Sequence, residues 1–202
     1  MGTVIERLDE IPARMAAAVK PALAAATREG YRRFLGAMVH YTRESGARLD
    51  HAAALAHDPG VANFFAALAR EERGHWQLAL ADLHAGGATL DQEPPTGLKG
   101  FHDGWMNARD DAWWLGALYA LENVGAPLGE AAPVALMRLG LTAHETRFVR
   151  VHLEVDEAHG RDTARWCATV MNQARLVESA EAAEAFWVAM HREALEGRPV
   201  TP

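Results

Sequence analysis

Cysteine is almost missing from this sequence: Cys167 is the single one among 202 residues. A disulfide within the chain is therefore impossible, and a reducing compartment such as the cytoplasm fits this composition. Cys167 stands in no recognisable group of catalytic residues. We therefore expect it to be a small buried apolar residue and not a nucleophile.

Long apolar segments are missing as well. No uncharged apolar run reaches the ~18 residues that predict a membrane-spanning helix. The first seven residues lack the basic segment and apolar run of a secretory signal, so none is expected. These two absences predict a cytoplasmic protein that does not interact with a membrane.

Positive charge is in deficit. The sequence has 20 lysines and arginines against 27 aspartates and glutamates, which gives a formal net charge of -7. Nucleic-acid binding needs a basic face for the phosphates, so nucleic acid is not an expected partner. We predict a small-molecule substrate instead, and a homodimer as the commonest form of assembly.

Alternating strand patterns are absent too, whereas apolar residues recur at helical steps. We predict an all-α single domain over residues 1–202 with about seven helices. Breaks or kinks are expected at Pro12 and Pro21 and near Ser45-Gly46, and a capping box of Thr142 and Glu145. The predicted helices cover about residues 4–28, 31–56, 58–84, 107–123, 128–138, 142–173 and 179–197, with a loop at 86–100.

The most informative stretch is residues 151–159, which contains His152, Asp156 and His159. At about 100° per residue, Asp156 lies ~40° and His159 ~20° from His152 around a helix. Phe148 and Val155 share this face, so it is expected to be buried. Buried polar groups are costly unless they are paired or bound to metal. The spacing thus predicts metal ligands, and a structural Asp156–His159 hydrogen bond is the alternative.

Two other predicted helices also carry polar groups on apolar faces. Glu72 and His75 have the E-x-x-H spacing with which helical bundles supply two ligands to a carboxylate-bridged metal pair. Glu71 is an alternative to Glu72. Glu122 completes the apolar face that contains Leu118. A surface pair at Glu72 and His75, and a solvated Glu122 near a helix end, are the simpler alternatives.

The combined set of imidazoles and carboxylates contains no thiolate, which suits iron or manganese better than structural zinc. Along a helix His152 and His159 are ~10 Å apart, which is long for one ion. Two ions ~3.5–4 Å apart fit this span better. The candidate ligands, which would be catalytic through the metals, are Glu72, His75, Glu122, His152, Asp156 and His159.

Other polar and aromatic residues receive simpler interpretations. We expect Trp113, Trp114 and Tyr119 to form core or pocket wall. Asp82 and His84 are expected to support the site from outside it or to lie at the surface. Surface or helix-end positions are expected for His40, His51, His57, His102, His144 and His191.

With these motifs in hand, residues 30–172 resemble the haem-oxygenase-like diiron oxidases and oxygenases, broadly described as iron-containing redox enzymes. The resemblance rests on His152-x-x-x-Asp156-x-x-His159, on Glu71-Glu72-Arg73-Gly74-His75-Trp76, and on residues 116–122. It implies a seven-helix bundle without haem and a metal-bearing core at about residues 58–172. It also implies that the six candidate ligands hold two Fe(II) ions, with O₂ as co-substrate, and that this metal site is labile. The implied reactions are amine N-oxygenation, C–C cleavage, and desaturation or decarboxylation.

Two alternatives from other classes stay open. Residues 116–129 also resemble the distal helix of true haem oxygenases, but the first predicted helix has no histidine, and the earliest is His40. The second alternative is a non-catalytic helical domain whose histidines only pack. No motif identifies a substrate, and no obvious basic pocket motif suggests an acyl or phosphate tail.

Overall fold

The protein is built from helices packed around one hydrophobic core. The computed structural model describes residues 4–197, without the side chains of Val155 and Asp156. No strand occurs in this range, which confirms the all-α prediction. None of the helices in the described range is long and apolar enough to span a membrane. They are α1 Val4–Ala25, α2 Arg28–Arg43, α3 Ser45–Leu55, α4 Pro59–Glu72, α5 His75–Ala85, α6 Leu98–Asn107, α7 Asp111–Glu122, α8 Gly125–Leu128, α9 Ala131–Arg138, α10 Arg147–Cys167 and α11 Gln173–Glu196.

The expected number of seven helices is wrong, because two predicted helices are divided and because α6 and α8 are additional. The segment 31–56 is split at Glu44 into α2 and α3, next to the predicted bend. The segment 58–84 is split at Arg73-Gly74 into α4 and α5, and Gly74 has a φ of 141°. This backbone region strongly favours glycine, so the break is encoded locally.

Several helix boundaries also differ from expectation. Helix α6 occupies residues assigned in part to a loop, and α7 starts at Asp111 after a cap in which Asp110 accepts from the Trp113 N–H at 2.9 Å. The last helix begins before Ser179, at Gln173. The short helix α8 precedes α9. Helix α1 continues through both prolines, so a break there is wrong.

Helix α7 lies at the centre of the bundle, against α11, α10 and α1. Its Trp114 and Leu115 are fully buried. A Cβ at Gly116 would lie 2.1 Å from the carbonyl oxygen of Leu176, so only glycine permits the close approach of α7 and α11. The position of α7 fixes the position of Glu122, its last residue.

Helix α10 is capped by a side chain from α5. Asp82, which is fully buried, accepts hydrogen bonds from the Phe148 N–H at 2.7 Å and from Arg147 Nε at 3.2 Å. The predicted capping contact also forms, since Glu145 Oε2 accepts from the Thr142 N–H at 2.8 Å. This contact closes a turn that precedes α10, and it does not belong to the first turn of α10. The surface alternative for Asp82 is therefore wrong, because Asp82 satisfies a free N–H at the start of α10.

We predict that Asp82→Ala lowers the free energy of unfolding by about 2–3 kcal/mol, because a buried N–H and a guanidinium lose their acceptor. Chemical denaturation measures this change. The matched control is Asp91→Ala, at an exposed position, which should change stability by no more than about 0.5 kcal/mol. Equal stabilities of the two variants would contradict the capping role.

Candidate metal centre

Glu72 and His75 lie on opposite sides of the break between α4 and α5. Glu72 ends α4 and His75 begins α5, so the two residues do not share the continuous helix that the sequence predicted. The turn at Arg73-Gly74 still brings the side chains together, and His75 Nδ1 lies 3.0 Å from Glu72 Oε2. Glu72 is only 8 % exposed.

His152 approaches this pair from α10. Its Nδ1 is 2.7 Å from the Phe148 carbonyl oxygen, which can only accept, so Nδ1 carries the proton. The lone pair of the neutral imidazole is therefore on Nε2, as a metal ligand requires. The rings of His75 and His152 are 4.9 Å apart. Ligand atoms of Glu72, His75 and His152 all lie within 4.8 Å of one another, which is close enough for one ion to reach all three.

His159, further along α10, forms a second group with two carboxylates. Its Nδ1 lies 3.3 Å from Glu122 Oε2, and its Nε2 lies 3.0 Å from Glu71 Oε2. Helices α7 and α10 approach each other closely at this level. A Cβ on Gly160 would lie only 2.5 Å from the Asn123 side chain. Both glutamates of the Glu71-Glu72 pair thus face histidines. Glu72 meets His75, and the more exposed Glu71 meets His159.

The electrostatics of the two groups depend on burial and on mutual pairing. Burial alone would raise the pKa of Glu72, but the hydrogen bond and charge of His75 reverse this and lower it. Glu72 in turn raises the pKa of His75. Burial raises the pKa of Glu122, whereas the Glu122 carboxylate raises the pKa of His159 to about 9. Burial lowers the pKa of His152, which keeps this imidazole neutral.

The donor set fits an iron ion. Buried carboxylates and imidazoles meet without a thiolate, and this combination suits iron and manganese. The Nδ1 atom of His159 is buried and makes no hydrogen bond of normal geometry with any residue in the described range. Glu122 Oε2 lies 3.3 Å from this nitrogen, and a metal ion bound by both groups would satisfy them. The side chain of Asp156 lies outside the described residues, so its role stays a prediction.

A cavity of about 200 Å³ adjoins the centre. Glu72, Glu122 and His152 lie in its wall. Most of the remaining wall is apolar and comes from α1, α2, α3, α6 and the helices after α7, as in Leu23, Phe34, Met38, Leu49, Phe101, Leu128 and Leu136. The site therefore combines polar donors with an apolar chamber, the usual composition of a small-molecule site.

Trp114 and Tyr119 are buried in the core, which is one of the two positions expected for them, and they do not line this cavity. Trp113 lines a smaller pocket. One expectation about a histidine is wrong. His191 was expected at the surface but is buried, and its ring stacks on Trp187 with centroids 3.7 Å apart. Burial lowers the pKa of His191 to about 4.

Arg48 is the residue of the cavity wall that sequence reasoning missed. Its side chain is buried in helix α3. The residues that precede it, Ser45, Gly46 and Ala47, gave no apolar pattern that would have predicted its burial. An arginine beside apolar Leu49 was the only available signal.

Cys167 is buried, as predicted, and does not line the cavity. Burial raises the pKa of its thiol to about 12, so little thiolate forms near neutral pH. Its Sγ lies 3.6 Å from the Leu115 carbonyl oxygen. These properties fit a packing residue.

A helical bundle with a cluster of imidazoles and carboxylates beside an apolar cavity defines a class of helical metalloprotein. The model of one family, described as iron-containing redox enzyme, matches residues 32–197. The chain therefore belongs to the iron-containing redox enzyme family. No curated protein sequence is significantly similar to it.

Solved structures confirm the haem-oxygenase-like fold. A domain of unknown function with this fold from Shewanella denitrificans OS217 has a TM-score of 0.73 and 20 % identity, covering 96 % of this chain and 88 % of that one. A TenA homologue from Pseudomonas syringae pv. tomato DC3000 has a TM-score of 0.74 and 13 % identity, covering 98 % of both chains. A TenA homologue from P. horikoshii OT3 has a TM-score of 0.75 and 13 % identity, covering 98 % of this chain and 100 % of that one.

We predict a pH dependence for the metal-free protein from His159, whose pKa rises from 6.5 to about 9 on folding. A group whose pKa is raised in the folded state stabilises the protein fully when the pH is below its pKa in the unfolded state. This stabilisation is lost as the pH rises through its pKa in the folded state. The stability advantage of wild type over His159→Gln should therefore shrink between pH 6.5 and about 9. Urea denaturation at several pH values measures it, and a constant difference would contradict the pairing with Glu122.

Proposed function

We propose that this protein is a non-haem diiron oxidase or oxygenase that uses O₂ to oxidise a small organic substrate held in the cavity. The observation that carries the proposal is the meeting of imidazoles and carboxylates from α4–α5, α7 and α10 at the wall of an apolar chamber. Amine N-oxygenation, C–C cleavage, and desaturation or decarboxylation are the candidate reactions, as in the family that the sequence resembles.

One ion would be held by Glu72, His75 and His152, whose ligand atoms are mutually close. The second would be held by Glu122 and His159, to which Glu71 is also near. Two neighbouring groups of ligands fit a pair of ions better than they fit a single ion. We propose Asp156 as a further ligand of this pair, on its spacing from His152 and His159. Fe(II) is the proposed metal, and manganese suits the same donors.

The chemistry that bound iron supplies is the reduction of O₂ coupled to oxidation of the substrate. The residues of the chain provide the conditions for it. The carboxylates of Glu72 and Glu122 balance metal charge, and the Phe148 carbonyl fixes the orientation of the His152 ring. The apolar wall excludes water and holds the substrate beside the donors.

Anaerobic reconstitution with Fe(II) tests the proposal. We predict about two bound iron ions per chain and a higher melting temperature, because a ligand that binds only the folded state stabilises it. His159→Ala should bind about one iron or fewer and lose most of the thermal shift. His84→Ala, at an exposed position on α5, is the matched control and should behave as wild type.

A stoichiometry near zero in wild type, or equal iron content in His159→Ala and wild type, would contradict the proposal. Unchanged melting with Fe(II) would favour the non-catalytic helical domain.

A Soret band on addition of haemin would favour a haem-degrading enzyme. His40, the earliest histidine, does not line the cavity, and its Nε2 lies 3.0 Å from the Gln92 carbonyl oxygen. A cytoplasmic location and a homodimer complete the proposal.

A further inference from the structure

Arg48 is a buried cation in the cavity wall, and one nitrogen of its guanidinium, Nη1, is unpaired within the described range. Arg48 is 3 % exposed and lines the same cavity as Glu72, Glu122 and His152. Its Nη2 donates to the Tyr41 carbonyl oxygen and to Ser45 Oγ, both at 3.0 Å. Its Nη1 is buried and has no hydrogen-bond partner among the residues that the structure describes. The N–H groups of Nη1 therefore have free donor capacity.

No carboxylate of the described residues forms an ion pair with this guanidinium. The acids Glu44 and Glu72 act on it only through space, and the Tyr41 side chain also favours its charged form. Burial outweighs these influences and lowers the pKa of Arg48. An arginine nevertheless keeps its charge in proteins, and a buried charge without a partner is strongly unfavourable. An anion at Nη1 would supply the missing partner.

Packing alone does not explain this arrangement. The guanidinium carbon lies 4.9 Å from the Tyr41 ring centroid and 5.5 Å from that of Phe101, so two aromatic faces stabilise the cation. These contacts use the face of the guanidinium and leave the N–H groups of Nη1 unsatisfied. The Arg48 backbone is also fixed, because Trp105 Nε1 donates to its carbonyl oxygen at 2.8 Å. The group is thus held in place before any ligand binds.

The cavity around Arg48 limits the chemistry of the anion. The described wall contains no lysine and no other arginine, so Arg48 is its one permanent cation. One cation among apolar side chains suits a single carboxylate attached to an apolar body. The volume of about 200 Å³ has room for on the order of fifteen non-hydrogen atoms.

We propose that Arg48 anchors the carboxylate of a monocarboxylic acid with an apolar body, and that this is the substrate class of the site. The inference rests on the proposed function, since it names the substrate of that site. A guanidinium donates to a carboxylate through strong charge-assisted hydrogen bonds. With its head group on Arg48, the substrate lies in the cavity whose wall also contains the candidate metal ligands.

Calorimetric titration of the metal-free protein with octanoate and with octanamide tests the anchor. The two probes have the same size, and only octanoate carries a charge. Wild type should bind octanoate about tenfold or more tightly than octanamide. Arg48→Met should remove this preference, and Arg48→Lys should keep part of it, because lysine retains the charge without the planar fork. Arg165→Met, at an exposed arginine, is the matched control and should retain the preference.

Equal affinities of wild type for the two probes would overturn the anchor, and this comparison needs no variant that could fail to fold. Unchanged octanoate binding in a folded Arg48→Met would overturn it too. The titrations are repeated with Zn(II), which cannot activate O₂. A preference that requires Zn(II) and persists in Arg48→Met would place the head group on the metal and overturn the proposal. Because iron counting is a separate measurement, failure of the anchor is distinguishable from failure of the diiron assignment.

Discussion

The structure depends on the burial of acidic side chains that need compensation. Glu72 and Glu122 lie in the wall of an apolar cavity, where an unpaired carboxylate is strongly disfavoured. Among the described residues, His75 and His159 are their partners, at 3.0 and 3.3 Å. Each pairing connects different helices, so the polar groups hold α5 next to α4 and α10 next to α7. The helices around the cavity are therefore organised by a polar cluster as well as by apolar packing.

Helix α10 is the element for which this matters most. Its outer side is charged and exposed, as Glu157 and Asp162 show. Its first turn depends on Asp82, and its middle depends on the contacts of His152 and His159. Polar contacts of this kind contribute less net stability than apolar burial of the same extent. The packing of α10 against its neighbours therefore includes charged contacts within the cluster, and a bound metal would change those charges.

The sequence predicted the helical class and six candidate ligands, because inward polar residues stand out on an apolar stripe. The structure brings five of these residues to one region, and the side chain of the sixth, Asp156, lies outside the described residues. The sequence did not predict the break at Gly74, since Glu72 and His75 keep their spacing whether or not the helix continues. Arg48 was missed for a different reason. Its burial depends on α6, where Phe101 and Trp105 cover it, and part of α6 was assigned to a glycine-rich loop. Burial by a distant segment leaves no periodic signal near the buried residue.

The cavity wall contains charged groups with opposite electrostatic requirements. The carboxylates of Glu72 and Glu122 call for cations, and the guanidinium of Arg48 calls for an anion. Neither requirement is met by the other, because no ion pair joins Arg48 to these glutamates in the described part of the chain. Apolar walls keep water from satisfying both. If a metal binds at the carboxylates and the carboxylate of a substrate binds at Arg48, as proposed, each ligand neutralises one of these charges.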